Sequence, residues 1–489
     1  MLKKDIPVVQ QIKHEVLKEV AALAFDGELE QGKDDIPYKI IPGSKARFRC
    51  CVHKEREIIR QRVRLARGKS PRNSRGELKE RNDNQIVYVI EEACEGCPIH
   101  RFQVTENCQG CMAKKCLEAC PFGAITIAGK RAHIDQDKCR ECGRCSKACP
   151  YNAIADLMRP CKRSCPVGAI SMDDEKKAVI DETKCINCGA CTTECPFGAM
   201  EDISCIVNVI EDMKNDREVY AVFAPSIAGQ FGKDVTTGAI KNALIRLGFD
   251  GTYEVALGAD WVAVHEAKEV AENIDEMGFM TTSCCPAFVA MVEKHFPKLL
   301  PHVSNTVSPM VAIGRYIKAE HPKSKVVFIG PCMAKKAESK KEWARDAIDY
   351  VITFEELAAM MDAKNIEIHE KKEKDDASGY GRGFAKSGGV YDAVCNAAKE
   401  NNITLNVIPQ KCNGAEECRK ALMMANTGRL NENFIEGMVC QDGCIGGPGT
   451  LLSVVKTKRE LDKNAKESSI KNINDSLNRL KGKEVDLKR

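Results

Sequence analysis

Sixteen of the 27 cysteines lie between residues 94 and 195, and their spacing is that of iron–sulfur ligands. Three runs end alike: Cys108-x2-Cys111-x4-Cys116-x3-Cys120-Pro121, Cys139-x2-Cys142-x2-Cys145-x3-Cys149-Pro150 and Cys185-x2-Cys188-x2-Cys191-x3-Cys195-Pro196. Cys94-x2-Cys97-Pro98 and Cys161-x3-Cys165-Pro166 complete the sixteen. A [4Fe-4S] cube takes four thiolates, so this region offers ligands for four cubes, and a chain of cubes moves electrons one at a time. Structural zinc is the alternative for a Cys-x2-Cys pair, and the repeated Cys-Pro endings favour cubes over it. A second group stands far downstream: Cys284-Cys285, Cys332, Cys440 and Cys444. The first group reads as a wire and the second as the place where it leads.

Four segments must carry these residues. Residues 1–90 read as mainly helical, from Val8, Ile12, Val16, Val20 and Leu23, followed by a basic helix over 50–68 and a polar loop over 69–85. Residues 91–205 form the cluster region. There Cys120, Cys149, Cys165 and Cys195 each open a Cys-Pro-x-x-Ala repeat, with short strands such as Ile125-Thr126-Ile127 and Ala178-Val179-Ile180 between them. Residues 206–455 change character: apolar runs at 219–224 and 325–329 alternate with helical patterns at 238–248, 265–276 and 287–295. That alternation predicts a two-lobed α/β domain with mostly parallel sheets, preceded by α+β cluster domains. The stretch 364–376 reads as an exposed loop, and the charged tail 456–489 as packed on the surface or frayed.

Net charge is +4 on 144 charged side chains, which does not suggest nucleic acid binding. The local excess at Arg56, Arg60, Arg62, Arg64, Arg67 and Lys69 reads as a solvated helix face or, alternatively, as a docking surface for an acidic electron carrier. The first residues lack the apolar core of a signal peptide, and no run approaches the ~18 apolar residues of a membrane span. The expected compartment is the cytoplasm, where cysteines in such numbers are metal ligands rather than disulfides.

The region 94–200 resembles bacterial two-cluster ferredoxins, in which the cysteine before proline reaches the other cube. That resemblance implies Cys108, Cys111 and Cys116 with Cys149, then Cys139, Cys142 and Cys145 with Cys120, and Cys185, Cys188 and Cys191 with Cys165. It leaves Cys195, Cys161, Cys94 and Cys97 as the fourth set.

Three downstream segments, Thr282-Ser283-Cys284-Cys285-Pro286, Gly330-Pro331-Cys332-Met333-Ala334-Lys335 and Met438-Val439-Cys440-Gln441-Asp442-Gly443-Cys444, resemble in order the three signature motifs of the [FeFe]-hydrogenases. The resemblance implies an H-cluster, a [4Fe-4S] cube joined to a di-iron unit with CO, cyanide and azadithiolate. Cys285, Cys332, Cys440 and Cys444 would hold the cube, with Cys444 bridging. Cys284 would stay free and pass protons, its thiol titrating near the ordinary 8.5. Lys335 would bond a cyanide, Met438 would wall the distal iron, and Pro225 and Ser226 would line the dithiolate. Glu266 and Glu269, one helical turn apart, and Ser304 resemble the family's proton relay. Taken alone the two glutamates read as an exposed helix face. The segment 384–390, with Gly388 and Gly389, also resembles one near the cluster. The implied partners are H2, protons, a ferredoxin or similar carrier, and maturation proteins for the di-iron unit.

Several positions depart from the family pattern. Gly330 stands where a methionine is usual, Phe288 replaces a tryptophan, Gly446-Gly447-Pro448-Gly449 replaces Gly-Gly-Gly-Gln-Pro, and Asn273 stands at the outer arginine of the relay. A divergent, monomer-type branch is implied. A hydrogen sensor and a cluster-assembly protein are the alternatives; Cys284, Lys335 and Met438 speak for catalysis. Cys50, Cys51, Cys205, Cys395, Cys412 and Cys418 fall outside every set and are expected to be small buried hydrophobes.

Overall fold

The computed structural model describes residues 6–72, 77, 85–215, 217–369, 371, 374–480 and 485–489. Most of the expected polar loop, 73–76 and 78–84, lies outside the described residues, as do 370, 372 and 373 of the expected loop 364–376.

Helix Val8–Asp26 buries Val16, Leu17, Val20, Ala21 and Ala24, a stripe at three- and four-residue spacing, and ends at Gly27 in the left-handed region. Its stripe packs on helices Phe354–Ala363 and Ile206–Lys214, so its core is continuous with that of the α/β domain. Helix Val52–Ala66 carries the basic cluster, but its arginines are engaged internally. Arg62, 3% exposed, pairs with Glu201 and donates to the Gly198 carbonyl at 2.8 Å. Arg64 donates to the Ser70 carbonyl, Arg67 pairs with Glu30, and Arg56 reaches the Ile41 and Gly43 carbonyls. The solvated face expected there is largely a set of tethers.

The cluster region is nested. Strand Val87–Val89 pairs antiparallel with Met200–Asp202, and inside that closure Phe102–Val104 pairs antiparallel with Ile154–Asp156. The outer unit is thus inserted into the inner one between Cys97 and Cys161, and each unit has its own hairpin, Ile125–Ala128 with Arg131–Ile134 and Ile170–Met172 with Ala178–Ile180. The Cys-Pro-x-x-Ala repeat has a local cause. Gly123, Asn152, Gly168 and Gly198 all have positive φ, which turns the chain back. The amides of Ala153, Ala169 and Ala199 then donate to the sulfurs of Cys149, Cys165 and Cys195 at 3.2–3.4 Å.

Two parallel sheets form the lobes of the α/β domain. One orders Gly251–Glu254, Val219–Phe223, Lys325–Ile329 and Tyr350–Ile352; the other orders Met280–Thr281, Phe434–Met438 and Pro409–Asn413. The three cysteine motifs and Pro225-Ser226 each follow the carboxyl end of one of these strands: Pro225-Ser226, Cys284-Cys285, Cys332 and Cys440 to Cys444. Ligand sites of open parallel sheets lie there.

The described part of the tail packs against the domain rather than fraying. Leu461, Ile473 and Leu480 are buried, Ser476 donates to Asp260 at 2.6 Å, and the Val307 amide donates to the Leu487 carbonyl at 2.8 Å. The end of the stretch 364–376 is pinned too, with Asp376 accepting from Lys241 and Asp375 from the buried Arg382. No helix among the described residues is long and apolar enough to cross a membrane. Of the unassigned cysteines, Cys412 and Cys418 are buried as expected, and Cys205 donates its S–H to the Val351 carbonyl. Cys50 and Cys51 are exposed, against expectation, because they sit at the solvent-facing start of helix Val52–Ala66.

Candidate active site

The two sheets aim their carboxyl ends at one largely apolar cavity of about 90 Å³. Cys284, Cys285, Cys332, Cys440 and Cys444 all line it, with Lys335, Met438, Pro225 and Ser226. Met310 and Phe328 line it as well and were not singled out from sequence; Met310 follows the Ser308-Pro309 helix start, a signal of position but not of contact. Gly330 leaves room for Phe328: a Cβ there would sit 2.6 Å from the Phe328 ring. That ring occupies space near the position where the family usually carries methionine.

Burial dominates the chemistry of these thiols. It pushes Cys332 up to about 11 and Cys444 up to about 12, and holds Cys440 well above the ordinary thiol value. Cys284 is raised first by burial and then by Glu266 beside it, so the thiol keeps its proton more firmly than the ordinary 8.5 implies. The Ser226 hydroxyl is fully buried in the cavity wall and has no hydrogen-bond partner among the described residues. Five convergent sulfurs, an orphaned hydroxyl and an ammonium at the cavity edge fit an iron cluster carrying polar diatomic ligands. Lys335 reaches the edge held by Glu338, its Nζ donating to Glu338 Oε2 at 2.6 Å and to the Cys284 carbonyl at 3.4 Å. Burial alone would lower the Lys335 pKa; the ion pair outweighs it and keeps the amine charged. Glu338 was not anticipated, although its i+3 spacing from Lys335 is visible in the sequence.

From Cys284 a file of polar groups runs outward. Glu266 on helix Val255–Met277 is 1% exposed, its carboxyl raised to about 8 by burial and then by Glu269. The exposed helix face considered for it is therefore wrong. Ser304 is also near Glu266 and donates to Glu269 Oε2 at 2.6 Å. Glu269, half-buried one turn away, also accepts from Thr306 Oγ1 at 2.8 Å and the Asn305 amide at 2.6 Å. Asn273 turns back to the Glu269 carbonyl. Arg489, brought in by the tail and paired with Glu293, is also in electrostatic reach of Glu269.

The sixteen upstream cysteines gather in small companies. Beyond burial, the sulfurs acting on Cys116 are those of Cys149 and Cys111; on Cys145, those of Cys139, Cys120 and Cys142. On Cys161 they are Cys195, Cys94 and Cys97; on Cys191, Cys188, Cys185 and Cys165. Cys108 lies in the same small core as Cys116, its sulfur accepting from the Ala132 amide at 3.4 Å. Two contacts join the companies. Cys191 is also within reach of Cys161, and Cys188 lines the catalytic cavity and acts on Cys440. The second contact depends on Gly189, with φ of 77°, where a Cβ would lie 2.5 Å from Met333 Sδ and 2.7 Å from Pro448 Cγ.

Known proteins share this layout. The family described as "Iron only hydrogenase large subunit, C-terminal domain" matches residues 217–448, and "4Fe-4S dicluster domain" matches 107–153 and 159–199. Iron hydrogenase 1 of Clostridium pasteurianum is 32% identical over 412 residues, covering 73% of this chain and 71% of that protein. The periplasmic [Fe] hydrogenase large subunit of Nitratidesulfovibrio vulgaris is 30% identical over 392 residues, covering 67% and 89%. Cytosolic Fe-S cluster assembly factor NAR1 of Kluyveromyces lactis is 34% identical over 101 residues, covering 21% and 22%.

Proposed function

Because the chain belongs to the iron-only hydrogenase family, we propose that it catalyses H2 ⇌ 2 H⁺ + 2 e⁻ in the cytoplasm, exchanging electrons with a ferredoxin through four [4Fe-4S] cubes. The observation that carries this reading is the file Cys284, Glu266, Ser304, Glu269, which starts in the cavity and ends at a half-buried carboxylate. A protein that only stores or assembles clusters has no use for a proton path to an apolar cavity.

In this reading Cys285, Cys332, Cys440 and Cys444 would hold the catalytic cube and its di-iron unit, which maturation proteins would deliver. The H-cluster, when bound, would supply the low-valent iron at which H2 is made or split. The remaining work belongs to side chains. Glu269 exchanges protons with the outside, the Ser304 hydroxyl passes them to Glu266, and Glu266 passes them to the Cys284 sulfur facing the cavity. Lys335, kept charged by Glu338, offers a fixed donor at the cavity edge, with the Ser226 hydroxyl as a second. Met438 and Phe328 keep that edge apolar and exclude water.

The similarity to NAR1 favours a second reading, cluster assembly without a di-iron unit. Infrared spectroscopy of the protein matured with the di-iron precursor separates the two. Bands of iron-bound CO and cyanide are expected under the first reading, and their absence from fully iron-loaded protein leaves only the second.

A further inference from the structure

The two cluster units differ in charge. Residues 107–153, the outer unit, carry eight Lys and Arg against four Asp and Glu, a net +4 equal to that of the whole chain. Residues 159–199, in the inner unit, carry six against six. The outer excess faces solvent. Lys114, Lys115, Arg140, Arg144 and Lys147 are exposed, and among the described residues none of these five forms an ion pair, whereas Lys138 pairs with Asp135 at 3.2 Å. The short helices Lys115–Glu118 and Arg144–Ala148 lie against each other, which sets three of the five on neighbouring elements.

Apolar groups are mixed into this surface. Met112 is 97% exposed, Tyr151 52% and Phe122 46%. Phe122, Arg140 and Cys142 line one small hollow over the set that includes Cys120, Cys139 and Cys145. Cys142 alone of the sixteen upstream cysteines is exposed. The position in the fold points the same way. The inner unit meets the catalytic cavity through Cys188, whereas the outer unit, inserted between Cys97 and Cys161, contributes no residue to its lining. Exposed apolar groups on a surface that also carries exposed cations outside any ion pair among the described residues favour a brief, steered encounter with an anionic partner. The arginines of helix Val52–Ala66 offer no comparable surface, being tied to carbonyls and carboxylates. Two copies of the outer face would repel each other.

We propose that this face of the outer unit docks an acidic one-electron carrier protein. The proposal rests on the reading of the sixteen cysteines as an electron wire. One electron leaves the reduced carrier and enters the outer cube; no bond forms or breaks.

The test uses the full chain with its cubes reconstituted and a reduced acidic [2Fe-2S] ferredoxin as probe, following the bleaching of cluster absorbance by stopped flow. The second-order rate is expected to fall steeply with added salt. It should drop by about tenfold or more in Lys114→Glu/Lys115→Glu/Arg140→Glu/Arg144→Glu, with reduction by methyl viologen reaching the same extent. Lys162→Glu/Lys176→Glu on the inner unit should change the rate by less than about twofold. A wild-type rate indifferent to salt, or an inner-unit variant slowed as much as the outer one, overturns the proposal. Should the fourfold variant fail to take up iron, Arg140→Gln/Arg144→Gln should still slow entry severalfold, and an unchanged rate there overturns it too. Hydrogen turnover is not needed. Salt-dependent entry without H2 evolution would refute the hydrogenase reading alone, and dye-driven H2 evolution without it would refute the docking face alone.

Discussion

Ser304 donates its hydroxyl to Glu269 Oε2 at 2.6 Å and lies near Glu266, whose two carboxyl oxygens are buried without a hydrogen-bond partner among the described residues. A hydroxyl both donates and accepts, which is what a proton needs to cross between carboxyls of different burial. Ser304→Ala should keep full iron content and the infrared bands of the di-iron unit while lowering H2 evolution by ~10²–10⁴-fold. Dye-driven gas production, normalised to iron, measures it; turnover within a few-fold of wild type would remove Ser304 from the path.

Glu266 sets a pH limit. Its carboxyl is raised to about 8, chiefly by burial, so it is neutral below that pH and able to donate, and charged above it. H2 evolution should decline as pH rises through about 8, and Glu266→Gln should be nearly inactive at every pH. A profile of H2 evolution flat to pH 10 would contradict the assignment.

Asp202 ties the helical segment to the rest. It accepts from Lys13 at 2.8 Å and from Lys336 at 2.7 Å, and Lys336 also bonds Glu356. Asp202→Asn leaves the buried Lys336 and the half-buried Lys13 short of a charge and should cost ~3–5 kcal/mol in denaturant unfolding. Burial would raise the Asp202 pKa, but the two lysines outweigh it and hold it below the ordinary carboxylate value. Its contribution is therefore present above the unfolded pKa and lost as pH falls through the folded one. Asp202→Asn should accordingly flatten the acid limb of the wild-type stability curve. An equal acid limb in both proteins would count against the pair.

The cysteine motifs were legible because cluster ligation imposes short, fixed spacings on the chain. The strands that carry them were legible because a buried parallel strand is a run of apolar residues, as at 219–223 and 325–329. The nesting of the two units was not, since it rests on three-residue strands such as Val87–Val89 and Met200–Asp202, more than a hundred residues apart. The buried fate of Arg62 was hidden for the same reason: only tertiary contact with Glu201 distinguishes it from a solvated arginine. Arg489, whose charge reaches Glu269 and which pairs with Glu293, comes from a tail with no motif. The firmness with which Cys284 holds its proton is a property of burial that no spacing announces.

The central claim is that adjacent cysteines do opposite work, Cys285 bound to iron and Cys284 free to move protons. Comparing H2 evolution by matured wild type and Cys284→Ala, at matched iron content and matched infrared intensity, tests it most directly. The account predicts that the variant loads its clusters normally and loses nearly all turnover. Wild-type turnover in the variant would contradict it.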